Sequence, residues 1–184
     1  MKKPPLTPEE QLLRILRIAK TNGLSVVIIA AIGTVLSLGD WLGMAVGAAI
    51  IIGGRMELSG RKQLLRNEPA GVRDLVRSQW VVLAAIESYC LIKLLFDSNH
   101  GVSAELRSAM TDLGIDMAQL EPSLRLAFYG TYVAVALLTF IYQGGMARYY
   151  GRRAGVVSEA IAARLRPPVP PRMGTTGDPE DWVT

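Results

Sequence analysis

Glu87 lies in the middle of an apolar run, and its chemistry needs an explanation more than that of any other residue. The run is WVVLAAIESYCLIKLLF, residues 80–96, which is typical of a membrane-crossing helix. A charge at the centre of a bilayer costs at least about 2.5 kcal/mol. Glu87 is therefore either protonated and hydrogen-bonded or exposed to water. In both states it is a candidate proton or cation site, because intramembrane carboxyl groups often mark such paths.

The partners of Glu87 are expected on other helices. Ala84 and Ser88 share its side of the helix, so the carboxyl group should point into a helix bundle rather than into lipid. No Lys or Arg lies at the same depth in any apolar run, which leaves the hydroxyl groups of Thr34, Tyr132 and Thr139. Three interpretations stay open: a neutral Glu that holds helices together, a proton or cation site, and a contact to lipid or ligand.

A second carboxyl group, that of Asp40, lies in a Gly39–Asp40 turn between two apolar runs. In an oligomer this turn would place a ring of carboxylates at the outer mouth of a pore, where such rings select cations. Lys93 lies on the helix of Glu87, but six positions further along the chain. We expect it to reach outward to Asp97 or to other acids of the following loop.

Residues for other kinds of chemistry are few. The single histidine, His100, lies near Asp97 and Glu105, but this spacing matches no known metal-ligand pattern. The sequence carries none of the common nucleophile, phosphate-binding or zinc-protease motifs. We therefore expect no metal, no cofactor and no catalytic activity.

Four apolar segments must position these groups. They cover residues 21–38, 40–56, 78–96 and 124–146. A bilayer core asks for about 20 helical residues, and the uncharged part of the second segment, 41–54, is short, so a re-entrant hairpin is the alternative to a full crossing. The sequence predicts an all-α fold, an integral membrane four-helix bundle with an N-terminal amphipathic interfacial helix and cytoplasmic helical extensions.

Basic residues give the expected orientation. Arg and Lys crowd the leader 1–22, the loop 57–77 and the tail after 146, whereas the loop 97–123 is acidic. The positive-inside rule then places both termini in the cytoplasm and the loop 97–123 outside. We expect a multi-pass protein of the cell (inner) membrane. The same bias accounts for the net charge of +4, so no nucleic-acid partner is expected.

The leader 1–22 carries a helix start, the capping box Thr7-Pro8-Glu9-Glu10. Its apolar residues share one face, which is typical of an interfacial helix on anionic lipid and also of an inner helix packed on the rest of the protein, and one helix can do both. The residues expected to bind anionic headgroups are Arg14, Arg17, Lys20, Arg148, Arg152 and Arg153.

Helix-breaking Gly and Pro residues predict where helices begin and end in the polar segments. The loop 57–77 should be mostly helical with a break at 67–71, and the outer loop should hold a short helix at 104–113 closed by Gly114. A second short turn should end before Pro122. Residues 147–166 are expected to form a cytoplasmic helix, and the Pro- and Gly-rich tail 167–184 to be disordered.

Small residues predict where helices touch, because lipid does not drive helices together and close packing must. The candidates are Gly33 in the first segment and the repeated GxxxG of Gly39, Gly43 and Gly47 in the second. The second segment has more glycine than one hairpin contact needs, so we expect it to form a contact between copies of the protein.

Two function classes remain open from the sequence. The first is a homo-oligomeric channel or transporter subunit for protons or small cations or solutes, in which Glu87 or Asp40 would act on the permeating species. The alternative is a non-catalytic accessory or scaffold membrane protein that binds anionic lipid or a partner protein through its basic segments.

Overall fold

The structure is a computed structural model that describes residues 6–96, 104–114 and 117–166. Over these ranges the protein folds into six helices and no strand. The helices are α1 Pro8–Leu36, α2 Trp41–Leu65, α3 Gly71–Phe96, α4 Ala104–Asp112, α5 Met117–Arg152 and α6 Ala154–Leu165. Four of them, α1, α2, α3 and α5, are long and apolar enough to span a membrane. The predicted all-α, multi-pass fold is confirmed.

The leader and the first apolar segment form one continuous helix, α1. It starts with the predicted capping box, in which the Thr7 N–H donates to Glu10 Oε2 over 2.8 Å. The apolar face of the leader, including Leu12 and Ile15, is buried inside the protein. The interpretation of the leader as a packed helix is therefore confirmed, and its contact with anionic lipid stays a prediction.

Helix α2 shows that the short second segment is part of a longer helix. It runs unbroken for 25 residues, about 37 Å at 1.5 Å per residue, so residues 41–54 belong to a helix long enough to cross a bilayer. The helix continues well into the predicted loop 57–77. The chain then turns at residues 66–70, where Asn67 has φ +61°, which confirms the predicted break.

The segment between α3 and the middle of α5 confirms one prediction and corrects another. Helix α4 ends as expected before Gly114, whose φ of +74° suits a residue without a side chain. Helix α5 begins at Met117 and runs through Pro122, so the expected turn before Pro122 is wrong. The proline removes only one N–H donor from a helix of 36 residues, and the loss falls near its first turns.

The helices pack in the order α1, α2, α3, α5, each on the next, and α6 packs on α1. A hydrophobic core lies at one end of the bundle, measured along the helix axes, and we call this the basic end. It combines the start of α1, the end of α2, the start of α3, the end of α5, and α6. Its buried members are Leu12, Ile15, Leu16, Ala19, Leu64, Val72, Leu75, Tyr150, Val157, Ala160 and Ile161. The other end, which holds the turn between α1 and α2, is called the opposite end.

Candidate functional site

A buried carboxyl group, that of Glu57, is the centre of a polar cluster next to the core of the basic end. Glu57 is 1 % exposed. Asn22 Nδ2 of α1 donates to its Oε2 over 2.7 Å, and the Tyr150 hydroxyl of α5 donates to its Oε1 over 2.7 Å. Tyr142 lies about two helical turns before Tyr150 on α5. Its hydroxyl group donates to Asn22 Oδ1 over 2.7 Å. Three helices therefore meet at one carboxyl group.

Helix α3 adds two amino acids to this polar cluster. Ser78 and Gln79 are fully buried, and the Gln79 side chain lies beside the Glu57 carboxyl group. Gln79 Nε2 donates to Ser78 Oγ over 3.1 Å, and Ser78 Oγ donates to the Leu75 carbonyl over 2.8 Å. We call Asn22, Glu57, Ser78, Gln79, Tyr142 and Tyr150 the polar cluster.

The hydrogen bonds of the polar cluster indicate a structural part for Glu57. Both of its carboxyl oxygens accept from side chains of other helices, and within the described residues no Lys or Arg pairs with it. A buried acceptor of this kind is costly unless it is satisfied. Once satisfied, it fixes the relative register of α1, α2 and α5.

Sequence reasoning missed Glu57, because the apolar segment was ended at the first charges and Glu57 was assigned to a loop. A signal was present in the spacing. Glu57 stands at helical intervals from Gly53 and Gly60, so it lies on the packed side of a glycine-rich helix. Gly60 is so close to α3 that an added Cβ would lie 2.7 Å from the Gly71 carbonyl oxygen.

Glu87, the first candidate from the sequence, lies apart from the polar cluster, about 12 Å beyond Gln79 along α3 at 1.5 Å per residue. It is half-buried, and its Oε1 is buried without a hydrogen-bond partner among the described residues. The three expected partners do not satisfy this oxygen. Thr34 Oγ1 donates to the Ala30 carbonyl over 2.7 Å. The Tyr132 ring packs 4.8 Å from that of Phe128, and Thr139 is half-buried on α5.

Asp40 has two intrachain roles that the sequence analysis did not foresee. Its Oδ1 caps α2 by accepting from the Leu42 N–H over 3.1 Å. Its Oδ2 lies 3.4 Å from Lys93 Nζ of α3. Lys93 therefore pairs across helices with Asp40, whereas its expected partner Asp97 lies outside the described residues, as does His100. No group of three potential metal ligands occurs within the part of the chain that the structure describes.

The glycines expected to pack divide into two pairs. Gly43 and Gly47 of α2 face Ser37 and Thr34 of α1 so closely that an added Cβ would overlap them, so this part of the GxxxG repeat serves a contact within the chain. An added Cβ on Gly33 or Gly39 would meet nothing within 4 Å. These two glycines therefore pack on no other helix within the described residues, and their expected part in helix packing stays a prediction. Gly39 is a turn residue with φ +104°, and Gly33 faces open space.

The basic residues expected to bind lipid lie at the basic end, and most are exposed. Arg14, Arg17 and Lys20 of α1 and Arg148 and Arg152 of α5 all have exposed side chains. Arg153 differs, since it is half-buried and its guanidinium lies 3.8 Å from the centre of the Tyr149 ring. Stacking of this kind covers the cation, so Arg153 is less available to a headgroup than the other five.

A groove of about 380 Å³ runs along the membrane-spanning half, between α1 and α5. Helices α2 and α3 form its floor. Its lining is mostly aliphatic and includes Ile29, Ala30 and Gly33 of α1, Val46 and Ile50 of α2, Val82 and Ile86 of α3, and Val135 of α5. Ile29 and Val135 are 69 % and 40 % exposed, so the groove opens sideways toward lipid. Gln143 lines its end nearest the polar cluster.

Comparison with protein-family models, with curated proteins and with solved structures finds no match to this chain. By the length and composition of α1, α2, α3 and α5, the chain is a multi-pass membrane protein.

Proposed function

We propose that this chain is a non-catalytic membrane protein that binds anionic lipid headgroups at its basic end, which faces the cytoplasm. The binding surface is the basic collar, defined as Arg14, Arg17, Lys20, Arg148 and Arg152. Cations at this level of a membrane attract anionic lipid with about 1 kcal/mol for each Lys or Arg near the surface.

The proposal rests on one observation at the basic end: in the part of the chain that the structure describes, the cations of the collar are exposed and unpaired, whereas three nearby acids are engaged with other groups. The five side chains of the basic collar are exposed, and none makes an ion pair within the described residues. Three nearby acids are engaged elsewhere. Glu57 is buried in the polar cluster, Asp74 accepts from Gln63 Nε2 over 2.6 Å, and Glu9 pairs with Arg164 over 2.9 Å. The collar therefore keeps its positive charge for an external anion.

The polar cluster supports this proposal by holding the collar in place. The collar residues lie on α1 and α5. Helix α1 packs on α2 and helix α5 packs on α3, but α1 and α5 do not pack extensively on each other. Asn22 and Tyr142 join them through a 2.7 Å hydrogen bond. A rigid spacing of charged groups lowers the ordering cost of binding.

The test is thermal unfolding of the full chain in nanodiscs of phosphatidylcholine with and without phosphatidylglycerol. Anionic lipid is expected to raise the unfolding temperature, because a ligand that binds only the folded state stabilises it. The combined change Arg14→Ala, Arg17→Ala and Lys20→Ala should remove most of that increase. Arg125→Ala is the matched control, since Arg125 lies near the opposite end and pairs with Glu121. An increase that is equal in all three proteins contradicts the proposal.

A second candidate, the homo-oligomeric channel or transporter, is favoured by one observation, the unpartnered buried oxygen of Glu87. The other residues expected to serve a channel make contacts within the chain instead. Asp40 pairs with Lys93, and Gly43 and Gly47 pack on α1. The mass of the detergent-free protein in nanodiscs tests this candidate first, because a monomer contradicts it. Proton or potassium flux into liposomes tests it next, and flux that is unchanged in Glu87→Gln assigns Glu87 to packing alone.

A further inference from the structure

We infer that the groove between α1 and α5 binds a single-chain lipid amphiphile whose polar end donates a hydrogen bond to Gln143. This site lies in the membrane-spanning half, apart from the basic collar, and does not depend on it. It is defined by three features: an aliphatic lining, a glycine that keeps it open, and a buried polar group at one end.

The polar group is Gln143. It is 6 % exposed, and its Oε1 is buried without a hydrogen-bond partner among the described residues. An unsatisfied amide oxygen of this kind is costly in a protein interior. Because Gln143 lines the groove, a molecule in the groove can reach it. A hydroxyl group is the donor that fits, since it supplies one O–H to the free oxygen without adding a charge.

The open space is kept by Gly33. An added Cβ at this position would meet nothing within 4 Å, and Gly33 lines the groove. Packing within the chain therefore does not require a glycine at this position. Gly43 and Gly47 also line the groove, but their closest neighbours are Ser37 and Thr34 of α1. A side chain introduced at Gly33 would therefore occupy the groove without displacing any protein atom.

The dimensions fit one acyl chain. On the α1 side the lining extends from Val26 to Ser37, the residue directly after α1, about 16 Å at 1.5 Å per residue. The hydrocarbon of one leaflet is about 15 Å deep, half of a roughly 30 Å core. The volume of about 380 Å³ falls in the ordinary range of small-molecule sites, about 300 to 1,000 Å³. The exposed Ile29 and Val135 at its rim allow entry directly from the bilayer.

The experiment uses two photoreactive probes with the same diazirine-bearing acyl chain, one a monoacylglycerol and the other a methyl ester. Each is added to vesicles that contain the full-length protein, and after irradiation the labelled peptides are identified by mass spectrometry. We expect the monoacylglycerol to label Val46, Ile50 or Val82 on the floor of the groove about tenfold more than the ester. Tenfold is the effect of one buried hydrogen bond that only the glycerol can make.

Two variants and a control make this test specific. Gly33→Leu should reduce floor labelling by both probes, whereas Gly130→Leu should leave it unchanged. Gly130 also faces open space within a spanning helix, but it does not line the groove. Gln143→Leu should remove the preference for the monoacylglycerol. If Gly33→Leu unfolds, Val135→Phe at the exposed rim blocks the same groove.

Three results would overturn the inference. The first is labelling spread over the exposed faces of α5 with none on the floor. The second is equal labelling by the two probes in the natural protein. The third is absence of probe labelling together with disulfide-linked dimers of Ile29→Cys, which would show that a second copy covers the groove.

Discussion

The basic end and the membrane-spanning half of this protein are built by different rules. At the basic end, Leu12, Leu64 and Tyr150 are completely buried. Toward the opposite end, Leu36, Trp41 and Phe96 are 81, 77 and 77 % exposed. The basic end excludes water with its own side chains, whereas the spanning half leaves that task to lipid.

The buried carboxyl groups of the two regions differ as well. At the basic end the carboxyl oxygens of Glu57 accept from Asn22 and Tyr150. In the spanning half, Glu87 Oε1 is buried without a partner among the described residues. The contrast concerns these two carboxyl groups only, because Asn67, Gln79 and Tyr149 at the basic end also have a buried oxygen without a partner in the described ranges. We therefore expect stability to be concentrated at the basic end, where the hydrophobic core and the satisfied carboxyl group lie together.

The largest effect should come from removing the central acceptor of the polar cluster. Glu57→Ala leaves the Tyr150 hydroxyl and the Asn22 amide unsatisfied, so we expect a loss of about 3 to 5 kcal/mol of unfolding free energy. Glu57→Gln keeps one acceptor oxygen and should lose markedly less. Denaturant unfolding in mixed micelles measures both. Equal losses for Glu57→Ala and Glu87→Ala would contradict the contrast between the two regions.

A large effect is also expected where α2 and α3 approach most closely. In Gly60→Ala the new Cβ would lie 2.7 Å from the Gly71 carbonyl oxygen, and a backbone atom cannot move aside as a side chain can. Overpacking of this kind costs about 1 to 3 kcal/mol. Gly145→Ala on α5 is the matched control, since its Cβ meets nothing within 4 Å. It should be neutral or stabilising by up to about 1 kcal/mol, because alanine is the better helix former.

The two tyrosines of the polar cluster sharpen the comparison, because they make similar hydrogen bonds in different surroundings. Tyr150 is fully buried and Tyr142 is 53 % exposed. Tyr150→Phe leaves a buried oxygen of Glu57 without its donor, so about 2 kcal/mol should be lost. Tyr142→Phe should lose about 0.5 kcal/mol, the lower end for an ordinary hydrogen bond. The same unfolding measurement checks both. A larger loss in Tyr142→Phe would show that the hydrogen bond to Asn22 of α1 contributes more to stability than the hydrogen bond to Glu57 of α2.

Much of the fold could be predicted from the sequence, because its signals are local. The capping box at Thr7, the break at 67–71 and the closing Gly114 each depend on a few neighbouring residues, and the spans depend on hydropathy over one window. The polar cluster depends on distant ones. Asn22 and Glu57 are 35 positions apart, and Glu57 and Tyr150 are 93 apart. No local pattern brings such residues together.

The candidate sites were harder to predict for a related reason. Gly33 and Gly47 belong to the same kind of small-residue stripe, yet one faces open space and the other Thr34. Which of them packs depends on how each helix is rotated about its axis. Asp40 and Lys93 likewise stood apart in the sequence, and their pairing depends on the alignment of α2 with α3. Helical spacing gives the face of a residue but not the neighbour of that face.

The smallest effect is expected at the opposite end, in the ion pair of Asp40 and Lys93. The side chains are 37 % and 23 % exposed, and the charged atoms are 3.4 Å apart. Exposed or half-exposed pairs contribute about 0 to 1 kcal/mol, so Asp40→Asn, which keeps a helix-capping side chain, should change stability by less than 1 kcal/mol. Asp40→Ala also loses the cap of α2, and should cost about 1 kcal/mol more. If Asp40→Asn instead proves as costly as Tyr150→Phe, stability is not concentrated at the basic end. The opposite end would then share in holding the four spans together, and the contrast between the two regions would concern only their exposure to lipid.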